Sequence, residues 1–345
     1  MNPLNEGNPS ELLSFEAEVQ RGFDESGKLP ERLQRYSFAR ERALLNLPEI
    51  DQKILTSDIF FSNKLQKIRP RLAQCGDYLA FKNFYTVGKV RLTGANFCMC
   101  HLLCPLCAIR RGSKSLDAYL QRFEVIKVEK PTLKLSMLTL TVKNGDDLAE
   151  RFKHLKNSLS ILLEHRRKTL KGQRGYHSEF AKIVGLVGSI EITKDGAIDG
   201  SQSGWHPHAH IMVLHEDRFE YKELQAEWLK ITGDSHVLNV APAQHPHDPA
   251  QDFLEVFKYA LKFSDLTPAQ NLEAFEVMNG KNLLFSAGLF RNVEIPESML
   301  DEIPLDDLPY IELFYKYLPD SGYSLLKTRE LKNSDDQVVW QELVK

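Results

Sequence analysis

The sequence predicts an α+β protein: an antiparallel sheet domain flanked by helices, preceded by a small cysteine-rich region suited to zinc. Three observations carry this. Strand-like and helix-like segments alternate between residues 130 and 263 in the order βαββαβα, which builds an antiparallel sheet with helices packed against it. Residues 205–214 alternate histidine with apolar residues at the period of a strand. Four of the five cysteines fall between Cys98 and Cys107, with Cys75 upstream.

The elements follow in order. Residues 1–65 carry apolar positions at helical spacing, first Leu12, Leu13, Phe15 and Val19, then Leu33, Tyr36, Ala39, Ala43 and Leu44, and read as a helical N-terminal region. Residues 66–115 hold the cysteines and two basic clusters. Leu133–Val142 is a strand, 147–170 a helix and Ile183–Thr193 a second strand. Lys194–Gly204 is turn-rich and leads into a third strand, Trp205–Leu214. Residues 219–231 read as a helix and 236–240 as a short strand. Asp248 as cap and Pro249 at the first position open a helix running to about Phe263. The sheet domain spans 130–291, and 292–345 reads as an acidic, poorly specified tail.

A chain of 345 residues can bury one large core or two modest ones. No stretch approaches the length of a membrane span, and Met1–Glu16 is acidic and polar, unlike a secretory signal; a cytoplasmic protein is expected. The net charge of −3 gives no bulk footprint for nucleic acid, so DNA contact must come from local patches. Three are present: Lys64–Arg71, then Arg110, Arg111 and Lys114, then Arg166–Arg174. Between Val293 and Glu312 there are seven acidic residues and no Lys or Arg, which does not suit DNA.

On the third strand His206, His208, His210 and Met212 share one face, and Pro207, Ala209, Ile211 and Val213 share the other. One face can pack on a core while the other presents imidazoles to a metal. The three histidines span roughly 13 Å, too far for one ion, but neighbours about 7 Å apart can converge on it. Glu191 supplies a third ligand: in a hairpin centred near Asp199 it lies opposite His208, and an unpartnered carboxylate in so apolar a strand would be costly. Two imidazoles and a carboxylate suit Mn²⁺ or Mg²⁺, with positions left for phosphate oxygens. Taken alone, the strand reads equally well as half-buried with surface histidines. His245-Pro246-His247 repeats the string without apolar alternation and reads as a loop.

On the helix after Asp248, Glu255, Tyr259 and Lys262 share a face. A tyrosine can attack a phosphodiester once its proton is removed and the phosphate polarised. A nearby Lys favours the phenolate, and a nearby Glu can activate water for a second step. Among the cysteines, Cys104 and Cys107 form a zinc half-site. The other half falls to Cys75 with Cys98 or Cys100, and His101 is a further option. A zinc there would fix Arg110, Arg111 and Lys114 beside it for DNA backbone contact.

Together these motifs resemble the HUH superfamily, and within it the single-tyrosine plasmid initiators of rolling-circle replication. Met137–Thr141 looks like the family's first motif, and His208-Ala209-His210 after His206-Pro207 like its metal motif. Glu255–Lys262 looks like its nucleophile motif, and Gly280-Lys281-Asn282 with Ser286–Arg291 like the segment closing the catalytic domain. The resemblance covers about residues 70–291; each motif is moderately specific, and their order and spacing strengthen it. The cysteine spacing near Cys98 and Cys100 departs from the family's. The resemblance implies that Tyr259 attacks single-stranded or hairpin origin DNA, leaving a 5′-phosphotyrosine and a free 3′-OH. It implies Mg²⁺ or Mn²⁺ on His208, His210 and Glu191, with His206 as a further candidate ligand. Lys258 or Lys262 would assist the phenolate, and Glu255 would direct water. It also implies a structural Zn²⁺ and a host helicase and DNA polymerase as partners; a homodimer is one option, and the sequence leaves the oligomeric state open. Two other readings use the same residues: a single-strand DNA transposase of the HUH type, told apart by the DNA it cuts, and an inactive zinc-dependent DNA-binding protein, against which the intact Glu191, His208, His210, Glu255 and Tyr259 argue. A small-molecule metallohydrolase lacks its Asp-His continuation.

Overall fold

The computed structural model describes residues 29–195, 204–235, 238–245, 247–257, 266–301, 308–331 and 339–342. Helices α1 (Leu29–Leu44), α2 (Leu47–Thr56) and α3 (Ile59–Gln74) come first, followed by strands β1 (Tyr78–Phe84) and β2 (Lys89–Ala95) and helix α4 (Pro105–Glu129). Next are β3 (Lys134–Thr141), α5 (Leu148–Leu170), β4 (Ile183–Asp195), β5 (Gly204–His215), α6 (Tyr221–Thr232) and β6 (Leu238–Pro242). Helices α7 (Pro249–Phe257) and α8 (Pro268–Met278) lead to β7 (Leu284–Gly288), and β8 (Tyr310–Leu318), β9 (Gly322–Leu331) and β10 (Val339–Glu342) end the order. The chain divides into two compact units, one of residues 1–111 and 297–345, the other of 112–296. The predicted apolar set at Leu12, Leu13, Phe15 and Val19 lies outside the described residues.

The second unit is built on a five-stranded antiparallel sheet in the order β6-β3-β5-β4-β7. The β4–β5 hairpin places Glu191 opposite His208 and Ser189 opposite His210, the register the sequence predicts. On its other side β5 pairs with β3, with Thr139 opposite His210 and Thr141 opposite His208. Pro207, Ala209, Ile211 and Val213 are buried, so the apolar face of β5 is a core face. Helix α5 packs on β5 and begins at Asp147, whose side chain accepts from the Glu150 N–H at 3.0 Å. Its Phe152, Leu155, Leu159 and Leu162 are buried, each contributing about 1.5–3 kcal/mol. Trp228 of α6 is fully buried and donates its indole N–H to the Thr141 carbonyl at 2.8 Å. Helix α7 packs against β5 and β4.

The first unit has helices α1–α3 and a second antiparallel sheet, β10-β9-β8-β1-β2. Asp58 caps α3, accepting from the Phe60 and Phe61 N–H groups. Residues beyond 291 are not the poorly specified tail the sequence suggests: β8 and β9 pair with each other, and β8 is inserted beside β1. Their aromatic and β-branched content, as in Tyr310-Ile311 and Phe314-Tyr315, suits a pleated sheet better than the acidic count of the segment implies.

Candidate active site

The hairpin register brings the predicted trio together. Glu191 Oε2 lies 3.4 Å from His208 Nε2 and 3.4 Å from His210 Nε2. Glu191 and His208 are buried and His210 is half-buried. The other nitrogen of each ring is engaged: His208 Nδ1 donates to the His206 carbonyl at 3.2 Å, and His210 Nδ1 meets Thr139 Oγ1 at 3.2 Å. These outer contacts leave Nε2 of both rings facing Glu191, where a protonated Nε2 donates to the carboxylate and a deprotonated one would be free to bind an ion. Burial opposes ionisation of Glu191, but hydrogen bonds and charge from His208 and His210 outweigh it and hold the carboxyl well below the usual carboxylate range. Ligand atoms of an ion with bonds of about 2.0–2.1 Å stand roughly 3.0–3.4 Å apart, so the donor set fits a divalent ion.

His206 stands outside this trio; its Nδ1 pairs with the Asn144 side-chain oxygen, and its ring centroid is 5.1 Å from that of His208. Thr139 and Asn144 are site residues that sequence reasoning missed. Thr139 sat within a motif singled out as a strand, but its role depends on the β3–β5 register. His245 Nδ1 and its N–H are held by Asp252, in keeping with a loop leading into α7.

Of the predicted nucleophile motif, Glu255 is half-buried on α7, while Lys258, Tyr259 and Lys262 lie outside the described residues. The end of α7 approaches α4 closely. A Cβ added at Gly112 would sit 2.6 Å from the Phe257 carbonyl oxygen, so only glycine lets the backbone immediately before the motif's tyrosine come so near.

In the first unit Cys75, Cys98, Cys104 and Cys107 converge, all four buried. Cys75 Sγ is 3.5 Å from both Cys104 and Cys107, and Cys98 is 3.5 Å from Cys107. Sulfurs around a tetrahedral zinc with Zn–S near 2.3 Å stand about 3.8 Å apart, so this set fits zinc. Hydrogen bonds from Cys100, Cys104, Cys107 and Cys75 push the Cys98 thiol strongly down, whereas burial pushes Cys104 up. Two arginines brace the loops: Arg40 donates to the Cys75 carbonyl, and Arg71 Nη2 to the Cys98 carbonyl at 2.5 Å. Cys100 is not one of the four. Met99 takes a left-handed φ of 61°, and Cys100 Sγ points back to the Cys98 carbonyl at 3.3 Å. His101 is likewise outside the four.

Arg110 corrects the reading of Arg110, Arg111 and Lys114 as a DNA contact. It is buried and pairs with Asp301 at 2.6 Å, with its Nε donating to the Met299 carbonyl. Arg32 joins Asp301 at 2.9 Å, and the Leu92 N–H donates to the same carboxylate at 2.6 Å. Burial opposes ionisation of Asp301, yet Arg110 and Arg32 hold it far below the usual range. Burial also opposes ionisation of Tyr36, but Arg110, Arg32 and Arg35 bring its phenol down to about 8. Lys114 is buried as well, which leaves Arg111 as the half-buried member of the cluster.

Comparison with known proteins fits this geometry. A family model described as "Replication protein" matches residues 89–312, a span that takes in every member of the histidine–glutamate trio. The chain belongs to this replication-protein family. Its resemblance to plasmid rolling-circle Rep initiators thus stands at the level of the family. It is 30% identical over 186 residues to a "Protein rep" of a Bacillus species, covering 53% of this chain and 54% of that one. A "Protein rep" of Bacillus amyloliquefaciens is 29% identical over 50% of this chain and 47% of its own length. The matched region thus spans about half the length of these two relatives. A "Protein rep" of Streptococcus pneumoniae is 26% identical over 257 residues, 70% of this chain and 75% of that protein. No solved structure matches the chain significantly. Among the described residues, no helix of this replication protein is long and apolar enough to cross a membrane.

Proposed function

We propose that the protein is a HUH-type initiator of rolling-circle replication that nicks and rejoins one strand of origin DNA through a tyrosine. The observation that carries this reading is the convergence of Glu191, His208 and His210 at 3.4 Å on the sheet against which the Glu255 helix packs. A divalent ion, Mn²⁺ or Mg²⁺, held by those three side chains would polarise a phosphodiester oxygen. Tyr259 is the nucleophile. Its phenol oxygen bonds to phosphorus, the O3′–P bond breaks, and the chain is left with a 5′-phosphotyrosine and DNA with a free 3′-OH. Lys262 or Lys258 favours the phenolate, and Glu255 takes the proton from a water that later releases the DNA. Thr139 and the His206 carbonyl engage the Nδ1 atoms of His210 and His208, which would keep the imidazoles oriented for an ion held at Nε2. Zn²⁺ on Cys75, Cys98, Cys104 and Cys107 is structural, since a four-sulfur set leaves no position for substrate. Origin DNA, single-stranded or as a hairpin, is the substrate. A host helicase and polymerase act after the nick, in the cytoplasm.

The test is a nicking assay on labelled single-stranded oligonucleotides from the flanking plasmid DNA, with Mn²⁺ and then EDTA. The wild type forms a nick and a covalent adduct with Mn²⁺, and Tyr259→Phe forms neither. Cleavage that persists in Tyr259→Phe would make water or another residue the nucleophile. Binding without any cleavage would favour the inactive DNA-binding reading.

A further inference from the structure

The sheet of the first unit has two different faces. One carries Leu79, Phe81 and Tyr317, where Arg32 of α1 stacks over Phe81 and Arg40 over Tyr317. The other collects cations and rings. Strand alternation puts Tyr78, Ala80 and Lys82 of β1 on it, with Glu312, Phe314 and Lys316 of β8. The register sets Arg91 beside Lys82, and Lys327 and Arg329 beside Phe314 and Glu312. Lys89 completes the row opposite Phe84. Among the described residues, the register therefore places six cations on this face with two carboxylates, Glu312 and Glu342, in a protein whose net charge is −3. Glu312 lies 3.8 Å from Arg329, and Glu342 pairs opposite Lys327.

Rings on this face pack against one another. Tyr78 and Phe314 stack with centroids 5.4 Å apart and planes at 16°, both half-exposed. Lys82 Nζ sits 4.2 Å over the Tyr310 ring. Beside the stack, Ala80 and Gly94 are small, and a Cβ at Gly94 would come within 3.3 Å of Ala80 Cβ. The result is a groove of about 370 Å³ whose lining includes Ala80, Thr93, Glu312, Phe314, Lys327 and Arg329.

We propose that this face binds single-stranded DNA without regard to sequence, phosphates running along the cations and a base lying against the Tyr78–Phe314 stack. The charge is complementary to a polyanion, and half-exposed rings beside it suit unstacked bases rather than a duplex, whose bases are already stacked. This surface lies on the first unit's own sheet, and its binding does not depend on the nicking chemistry.

The test uses the full chain and fluorescence anisotropy with labelled oligo-dT of about 20 nucleotides, longer than the 4–16 nucleotides such platforms cover. Lys327→Ala/Arg329→Ala is expected to weaken binding about tenfold and to flatten the salt dependence by about 1.4 in log–log slope, the release of two counterions. Phe314→Leu should weaken binding several-fold with the slope unchanged, and Lys327→Arg should bind as the wild type. Unchanged melting temperatures confirm that the variants are folded. His208→Ala/His210→Ala should bind oligo-dT normally while failing to nick, which separates this inference from the nicking reading. Wild-type affinity and salt slope in the double alanine variant would overturn the proposal. So would an equal loss on duplex DNA of the same length, which would mean that charge alone is being read.

Discussion

The sulfur cluster draws its side chains from the end of α3, a loop after β2 and the start of α4, and buries all four. The histidine cluster draws its three from one hairpin and leaves His210 half-exposed. Both sets of donor atoms are spaced for a metal, so spacing alone does not separate them. Closure does. Four sulfurs saturate a tetrahedral ion, whereas two imidazoles and a carboxylate leave positions for substrate oxygens. On the proposed function, the first cluster belongs to folding and the second to chemistry.

The largest effects should divide the two clusters. Cys104→Ser is expected to lose bound zinc, measured by elemental analysis, and to cost several kcal/mol in urea unfolding. His208→Ala should keep zinc and stability but slow nicking at least about a thousandfold, the loss of several kcal/mol of charge stabilisation. A Cys104→Ser chain that stays folded without zinc would remove the distinction.

Next comes the ionic cluster at Asp301, which occupies the place the sequence assigns to DNA contact. Asp301→Asn leaves Arg110 buried with its charge uncompensated and should cost about 3–5 kcal/mol by denaturant unfolding. Because the folded carboxyl lies below the unfolded value of about 3.9, its stabilisation is present above that pH. It fades as the pH falls toward the folded value, and acid unfolding of Asp301→Asn should show a shallower dependence there.

These two regions also show what the sequence could reveal. The trio was legible because strand alternation and hairpin pairing are short-range rules, and a carboxylate in an apolar strand needs a partner. The first unit was less so. Arg110 and Arg111 are neighbours on a helix, so one can face inward while the other does not, and no local pattern tells which. The choice of Cys98 over Cys100 turns on the left-handed Met99 between them. Strands β8 and β9 return across more than 200 residues to pair beside β1, which a reading by local periodicity does not reach.

Smaller effects sharpen the same contrast. Thr139→Val removes the partner of His210 Nδ1 and should weaken Mn²⁺ activation of nicking by about 10–100-fold, with thermal stability unchanged. Cys100→Ser should retain zinc and shift stability by no more than about 0.5 kcal/mol, since its sulfur lies outside the four.

The most direct measurement is formation of the covalent protein–DNA adduct by the wild type and by Glu191→Ala across a titration of Mn²⁺. The account predicts that the wild type saturates and that Glu191→Ala either forms no adduct or needs at least about tenfold more Mn²⁺, because a first ligand has been lost. Identical Mn²⁺ dependence in the two proteins would contradict it, and the Glu191–His208–His210 cluster would not be the site that drives the chemistry.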